Sequence, residues 1–320
     1  MNISSVESRS NQTDFGQHLK PLVIDGLRGR LWRANALNKK HGNHLIVIIY
    51  GHHASLERNQ GLLQYLRHFG EVLALDLPGL GGMDSFYKIN KKPTLDNYAI
   101  YLNNVLKKQL TPDKNFTLMG FSLGFLIASQ FLKKYPQQSP RVNLLISLVG
   151  FLSGQRLIFS PIRRKLYLLG ATLISQRFIA GGFRYVILNR FVLRYFYATT
   201  KLAKSKFKNL TKAQKRQLLV METHLWHCND VRTWAYTAKF MLTANLLDYQ
   251  INGHLYHIAT QGDQFLDNQA NLMDLKKVYK RVDYASVNLP SHAPTVIATE
   301  KEASLLMPAS LILHFKNFRD

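Results

Sequence analysis

Apolar and polar positions follow two different rhythms along this chain. Near the start, PLVIDG and LRGRLWRANA read as two strands joined by a short turn. HLIVIIYG (44–51) then runs apolar without a break and is rich in β-branched residues. Unbroken rather than alternating hydrophobicity predicts a strand covered on both faces, as in a parallel sheet. EVLALDLPG (71–79), NFTLMGFS (115–122) and VNLLISLVGF (142–151) repeat that pattern. Between them the spacing turns helical. In SLERNQGLLQYLRHFG, Leu62, Leu63, Tyr65 and Leu66 gather toward one side. In TLDNYAIYLNNVLKKQL, Leu95, Tyr98, Leu102, Val105 and Leu106 keep a helical interval, and LGFLIASQFLKKYP follows Ser122 directly and is predicted to end at Pro136. Strand, helix, strand, helix is the order of an α/β protein with a doubly wound, mostly parallel sheet.

From about Leu152 the strand rhythm stops. Residues 152–245 hold long helical segments rich in Leu, Ile, Phe, Tyr and Arg. The sheet pattern resumes in HLYHIATQGD (254–263) and RVDYASVNLP (281–290), and a last helix is predicted over much of 300–317, interrupted at Pro308. The expected division is a flexible polar tail at 1–20, one α/β core from 21–151 and 246–320, and a basic helical insertion at 152–245. No internal repeat or low-complexity segment interrupts this plan.

Composition agrees with a folded core: of 320 residues, 46% are hydrophobic and 19% charged. A single cysteine, Cys228, leaves no internal disulfide and fits a reducing compartment. The opening MNISSVESRSNQTDFGQHL is polar and unlike a secretory signal. No apolar run reaches the roughly 18–20 residues that span a bilayer. The expected location is cytoplasmic, either free or peripheral to the inner face of a membrane.

Charge adds a second theme. Lys plus Arg exceed Asp plus Glu by 42 to 19, a net of +23. The insertion alone carries 17 Lys plus Arg against Glu222 and Asp230, a net of +15. LIFSPIRRKLYLLG and RYVILNRFVLRYFYATTKLAKSKFKNLTKAQKR mix bulky apolar residues with Arg and Lys, which suits helices lying on anionic lipid. The plainer reading packs their apolar faces on the core and leaves the charges solvated. Both stand at this point. Nucleic acid is not an expected partner, because no base-reading motif accompanies the charge.

Candidate chemistry centres on FTLMGFSLGF, where Ser122 sits between Gly120 and Gly124 at a predicted strand-to-helix bend. A nucleophile on a sharp bend needs small neighbours to project clear of the backbone, and a helix N-terminus favours a developing oxyanion. Such a serine still needs a base, and the base an orienting acid. Later strand ends supply both: Asp263 after HIATQG, and His292 in LPSHAPTVIA. Asp267, four residues on, is an alternative acid.

Four motifs in this order, IIYGHHAS, LDLPGLGG, GFSLG, and GDQFLD with SHAP, resemble those of the α/β-hydrolase superfamily, in particular serine esterases and lipases with a helical cap. The resemblance spans roughly 21–151 and 246–318. It implies an α/β-hydrolase fold with the cap inserted after the sixth strand, Ser122 as nucleophile, His292 as general base and Asp263 as its orienting acid. The implied oxyanion hole is the backbone N–H of His52 and of Leu123. The implied reaction is hydrolysis of an acyl ester with an apolar chain, such as a monoacylglycerol or lysophospholipid, through an acyl-enzyme and without a cofactor. Thioester or carbon–carbon bond hydrolysis with the same triad is the alternative, as is a non-catalytic membrane-binding protein on the same scaffold. A dehalogenase is disfavoured, since that chemistry uses an aspartate where Ser122 stands.

Two positions depart from the family's usual form. Tyr50-Gly51 replaces a common His-Gly, which is expected to alter loop packing, and Met83 replaces a common serine. No metal is expected: His52 and His53 are adjacent and do not converge on one ion, and no other cluster has ligand spacing. LPGLGG lacks the Lys-Ser/Thr ending of a phosphate loop. His224 and His227 are expected to line or pack the cap.

Overall fold

The computed structural model describes residues 14–188, 192, 195, 211–289, 291–294 and 296–317. A hairpin of β1 (Leu19–Ile24) and β2 (Leu27–Ala34) opens the fold, turning through Asp25 and Gly26, both at positive φ. The core continues through β3 (Leu45–Ile49), α1 (Gln60–Leu66), β4 (Glu71–Leu75), α2 (Leu95–Gln109), β5 (Phe116–Phe121), α3 (Leu123–Lys134) and β6 (Val142–Leu148). Among the described residues, four α-helices of the insertion follow: α4 (Pro161–Ile174), α5 (Arg177–Gly182), α6 (Lys212–Cys228) and α7 (Val231–Thr243). The chain returns to the core with β7 (Ile251–Thr260), α8 (Asn268–Val278), β8 (Tyr279–Val287), α9 (Glu300–Ser304) and α10 (Ala309–Asn317).

The eight strands form one sheet in the order β1-β2-β4-β3-β5-β6-β7-β8. β1 and β2 pair antiparallel, as do β2 and β4, and every later pair is parallel. All five residues of β3 and all six of β5 are buried, the pattern that unbroken apolar runs predict for strands covered on both faces. The parallel strands all end at one edge, so the segments after β3, β5, β7 and β8 converge there. Open α/β sheets bind their ligands at that edge.

Side-chain caps set several helix starts. Thr94 accepts from Asn97 N ahead of α2, Ser160 from Arg163 N ahead of α4, and Asp230 from Thr233 N ahead of α7. Thr299 and Glu302 form a capping box at α9. Pro308 divides the last predicted helix into α9 and α10. The polar tail expected over 1–20 reaches less far than that. Phe15 is buried, its ring stacks on Trp32 at 5.7 Å, and Trp32 Nε1 donates to its carbonyl, so the aromatic pair draws this end onto the sheet. Residues 1–13 and much of the basic segment at 184–216 lie outside the described residues. No helix among the described residues is long and apolar enough to cross a membrane.

Candidate active site

Ser122 follows β5 directly and stands at the N-cap position of α3 with φ 42° and ψ −104°, a conformation that costs an L-residue of order 1–3 kcal/mol and persists where the surroundings enforce it. The enforcement is close packing. A Cβ on Gly124 would lie 2.2 Å from Ile49 O, and one on Gly120 2.6 Å from the Phe125 backbone, so neither position admits a side chain. Ser122 N donates to Leu148 O at 3.0 Å, tying the bend to the end of β6.

Two later loops reach the serine. His292 Nε2 stands 3.3 Å from Ser122 Oγ, and His292 Nδ1 stands 2.6 Å from Asp263 Oδ2. The Asp263 carboxylate is fully buried, and its Oδ1 accepts from Phe265 N (2.9 Å) and Leu266 N (3.1 Å). Since a carboxylate only accepts, Nδ1 carries the proton and Nε2 presents a lone pair to the serine hydroxyl. Asp267 stands elsewhere: it caps α8 by accepting from Ala270 N at 3.0 Å. Of the two sequence candidates, only Asp263 touches His292.

The Gly51–His53 loop lies against the same bend. A Cβ at Gly51 would meet Phe121 O at 3.4 Å and Ser122 Cβ at 3.8 Å, which sets Gly51, the residue before His52, against the serine. Tyr50, the departure from the common His, has a definite task. Its fully buried hydroxyl donates to Asp76 Oδ1 at 2.9 Å and accepts from Leu77 N at 3.0 Å, joining β3 to the LDLPGLGG loop. Asp76 also receives Arg30 at 2.8 Å. Burial pushes its carboxyl up to about 7 against the pull of Arg30, with nearby Glu57 adding to the rise. Met83 is buried and accepts from the Tyr101 hydroxyl at 3.3 Å.

The cap meets the core on these loops. His52 Nε2 donates to Trp234 O of α7 at 3.0 Å, and burial drives the ring down to about 4, so it stays neutral. The fully buried Thr233 and the Asn229 side chain complete the seam: Gly81 N donates to Asn229 Oδ1 at 2.7 Å, Asn229 Nδ2 meets His53 Nδ1 at 3.0 Å, and Asp230 N donates to Gly79 O. His53 packs on Trp226 with ring centroids 4.2 Å apart. Beneath the site, His257 is fully buried and shares a 2.9 Å hydrogen bond with Ser147 Oγ. Burial drives it to about 3 even though the Asp263 charge acts to raise it.

Sequence reasoning did not find Asn229, Trp234 or His257. Asn229 and Trp234 act through side-chain and carbonyl contacts between segments far apart in the chain, and no local motif announces that. Both His224 and His227, expected to line or pack the cap, are exposed on α6, whose buried positions include Glu222 and Leu225. Three residues far from Ser122 in the fold have ligand atoms within 4.8 Å of one another: His254 at the start of β7, Asp283 in β8 and His314 in α10. They form an ion-pair cluster in which Asp283 Oδ2 lies 2.7 Å from His254, 3.2 Å from His314 and 3.9 Å from Arg281. The neighbouring guanidinium opposes a cation there.

No family model matches the chain, and neither does any curated protein. Its backbone, however, superposes on many solved structures. It is similar to an α/β-hydrolase enzyme from a Medee basin deep-sea metagenome library, with 15% identity, a TM-score of 0.64, and coverage of 94% of this chain and 98% of that one. A bacterial membrane phospholipase A, described as a virulence factor, gives 14% identity and a TM-score of 0.65 over 98% of this chain and 92% of its own. An epoxide hydrolase from Bacillus megaterium gives 16% and 0.61 over 93% and 100%. The chain therefore has the α/β-hydrolase fold, with its helical cap inserted after the sixth strand.

Proposed function

We propose that this protein is a serine hydrolase that cleaves an acyl ester through an acyl-enzyme. The observation that carries this reading is the contact series from Ser122 Oγ to His292 Nε2, 3.3 Å, and from His292 Nδ1 to Asp263 Oδ2, 2.6 Å. In the proposed reaction Nε2 takes the hydroxyl proton as Oγ attacks the ester carbonyl. The resulting imidazolium is held by Asp263, whose other oxygen is already occupied by two backbone N–H groups and so keeps its place. The alkoxide leaves with the proton from Nε2. Water then repeats the sequence and releases the acid. The developing oxyanion sits between the N–H of His52 and that of Leu123, the latter among the free donors of the first turn of α3.

An apolar acyl chain fits the walls. The Phe265 ring stands edge-on to His292 with centroids 6.0 Å apart, and Phe159 lies 6.5 Å beyond it. The neighbouring folds include hydrolases of epoxides, an enol-lactone and phospholipid, so the fold supports hydrolysis without choosing the bond. The test is a fluorophosphonate probe followed by an acyl-chain-length series of oxygen esters and thioesters. Labelling of the wild type that Ser122→Ala abolishes is expected, with faster turnover of medium or long oxygen esters. Labelling that survives Ser122→Ala sinks the assignment.

A further inference from the structure

α4 is amphipathic, and its apolar stripe faces away from the protein. At about 100° per residue, Ile162, Leu166, Leu169 and Leu173 fall within about 60° of one another on the helix. Those four side chains are 73%, 60%, 57% and 46% exposed, and the only buried residue of α4, Ala171, lies on the opposite side. The inward face is fastened by Arg164, which donates to Leu242 O and Leu157 O at 3.0 Å each. Exposed Arg163 and Lys165 flank the stripe on either side. The next helix extends the surface, with Phe178 91% exposed beside exposed Arg177 and Ile179. Beside it opens a cleft of about 540 Å³ lined by Tyr87, Asn90, Lys91, Lys92, Arg177 and Arg232, with four cations and no carboxylate.

We infer that this face docks on an anionic lipid bilayer. Monomeric proteins rarely expose an apolar patch this continuous without a partner for it. The charges choose the partner: aliphatic and aromatic side chains enter the acyl boundary while a rim of Arg and Lys meets lipid phosphates. The cationic cleft beside Phe178 takes a headgroup. An aromatic series leads from the same helix toward the active site: Tyr167, on the side of α4 turned toward Ala171, packs on Phe159 (5.2 Å), Phe159 on Phe265 and Phe265 on His292. The docking stands on the surface alone. That it delivers an acyl ester along this aromatic series rests on the hydrolase reading above.

The test is sedimentation of the full chain with vesicles of phosphatidylcholine alone or with phosphatidylglycerol. Wild type and Ser122→Ala are expected to bind the anionic vesicles roughly tenfold more tightly or better. Combined Ile162→Asn, Leu166→Asn and Phe178→Ser substitutions, all at exposed positions, are expected to lose that binding while turnover of a short soluble p-nitrophenyl ester stays unchanged. Lys91→Gln with Lys92→Gln is expected to erase the preference for anionic lipid. Equal partitioning onto both vesicles, or no binding to either, overturns the inference. So does a wild-type dimer that the triple variant dissolves without any vesicle binding. Anionic binding by a chain that turns over no ester overturns the hydrolase reading and leaves the docking intact.

Discussion

α3 and α4 are helices of similar make-up placed in opposite settings. α3 buries nine of its twelve residues behind the bend at Ser122, whereas α4 buries one of fourteen and turns its leucines outward. Periodicity alone does not distinguish them. What differs is the neighbour: α3 lies on a sheet whose strands are apolar on both faces, while α4 is held on its polar side by Arg164, which reaches the carbonyls of Leu242 in α7 and of Leu157. A hydrophobic stripe reports that something apolar must cover it, and the fold decides whether that cover is the protein's own core.

The contrast can be broken or sharpened by substitution. The largest effect is expected at the catalytic end of the core. Asp263→Asn should lower the turnover of a short ester on the order of 10⁴-fold, as expected for loss of the orienting acid. Asp267→Asn should leave it within about twofold, because Asn caps a helix as well as Asp does. Loss of activity only in the second variant would reverse the choice of acid. Gly124→Ala forces a methyl group onto Ile49 O and should destabilise the fold by roughly 3 kcal/mol or more, measured by chemical unfolding. Tyr50→Phe strips Asp76 Oδ1 and Leu77 N of a shared partner, at an expected cost of about 1–3 kcal/mol, with a rise in KM or fall in kcat through the adjoining Gly51–His53 loop.

A pH series probes the floor of the site. His257 binds its proton at about 3 when folded and near 6.5 when unfolded, so the unfolded chain takes up the proton first as pH falls. Its contribution to stability is complete above about 6.5 and is lost at about 1.4 kcal/mol per pH unit as pH drops toward 3. A His257→Gln variant whose unfolding free energy keeps the full slope over that window removes this residue as the cause. The smallest effect belongs to the cap. Gly170→Ala in α4 meets nothing within 4 Å and should stabilise by roughly 0.5–1 kcal/mol, the opposite sign to the same change at Gly124.

The strands and the order of the three meeting residues were legible because buried parallel strands write themselves as unbroken apolar runs, with Ser122, Asp263 and His292 just past their ends. The resemblance named Asp263 as the acid with Asp267 as the alternative, but the contact that separates them was not legible. Both follow the same strand, and only the turn through Phe265 and Leu266 aims one at His292 while α8 takes the other as its cap. Tyr50 could be marked as unusual, but its bond to Asp76 depends on how β3 and β4 lie side by side. The mixture of bulky apolar residues with Arg and Lys in LIFSPIRRKLYLLG was visible. Whether its apolar side packs on the core or turns outward was not, because that depends on which face α7 claims.

The bond from His52 Nε2 to Trp234 O carries a consequence for access. Lids are often pictured as hinged covers that swing clear of the nucleophile. Here the cover is stitched at its centre to the loop beside Ser122, and Asn229 adds further stitches at Gly81 and His53. Raising α7 would pull on the His52 side chain, and with it on the loop that carries the proposed His52 oxyanion donor. α4 and α5 carry none of these bonds to the Gly51–His53 loop; α4 is tied instead through Arg164 to Leu242 O and Leu157 O. A cover pegged beside the nucleophile is the part least free to lift, and passage falls to its flanks.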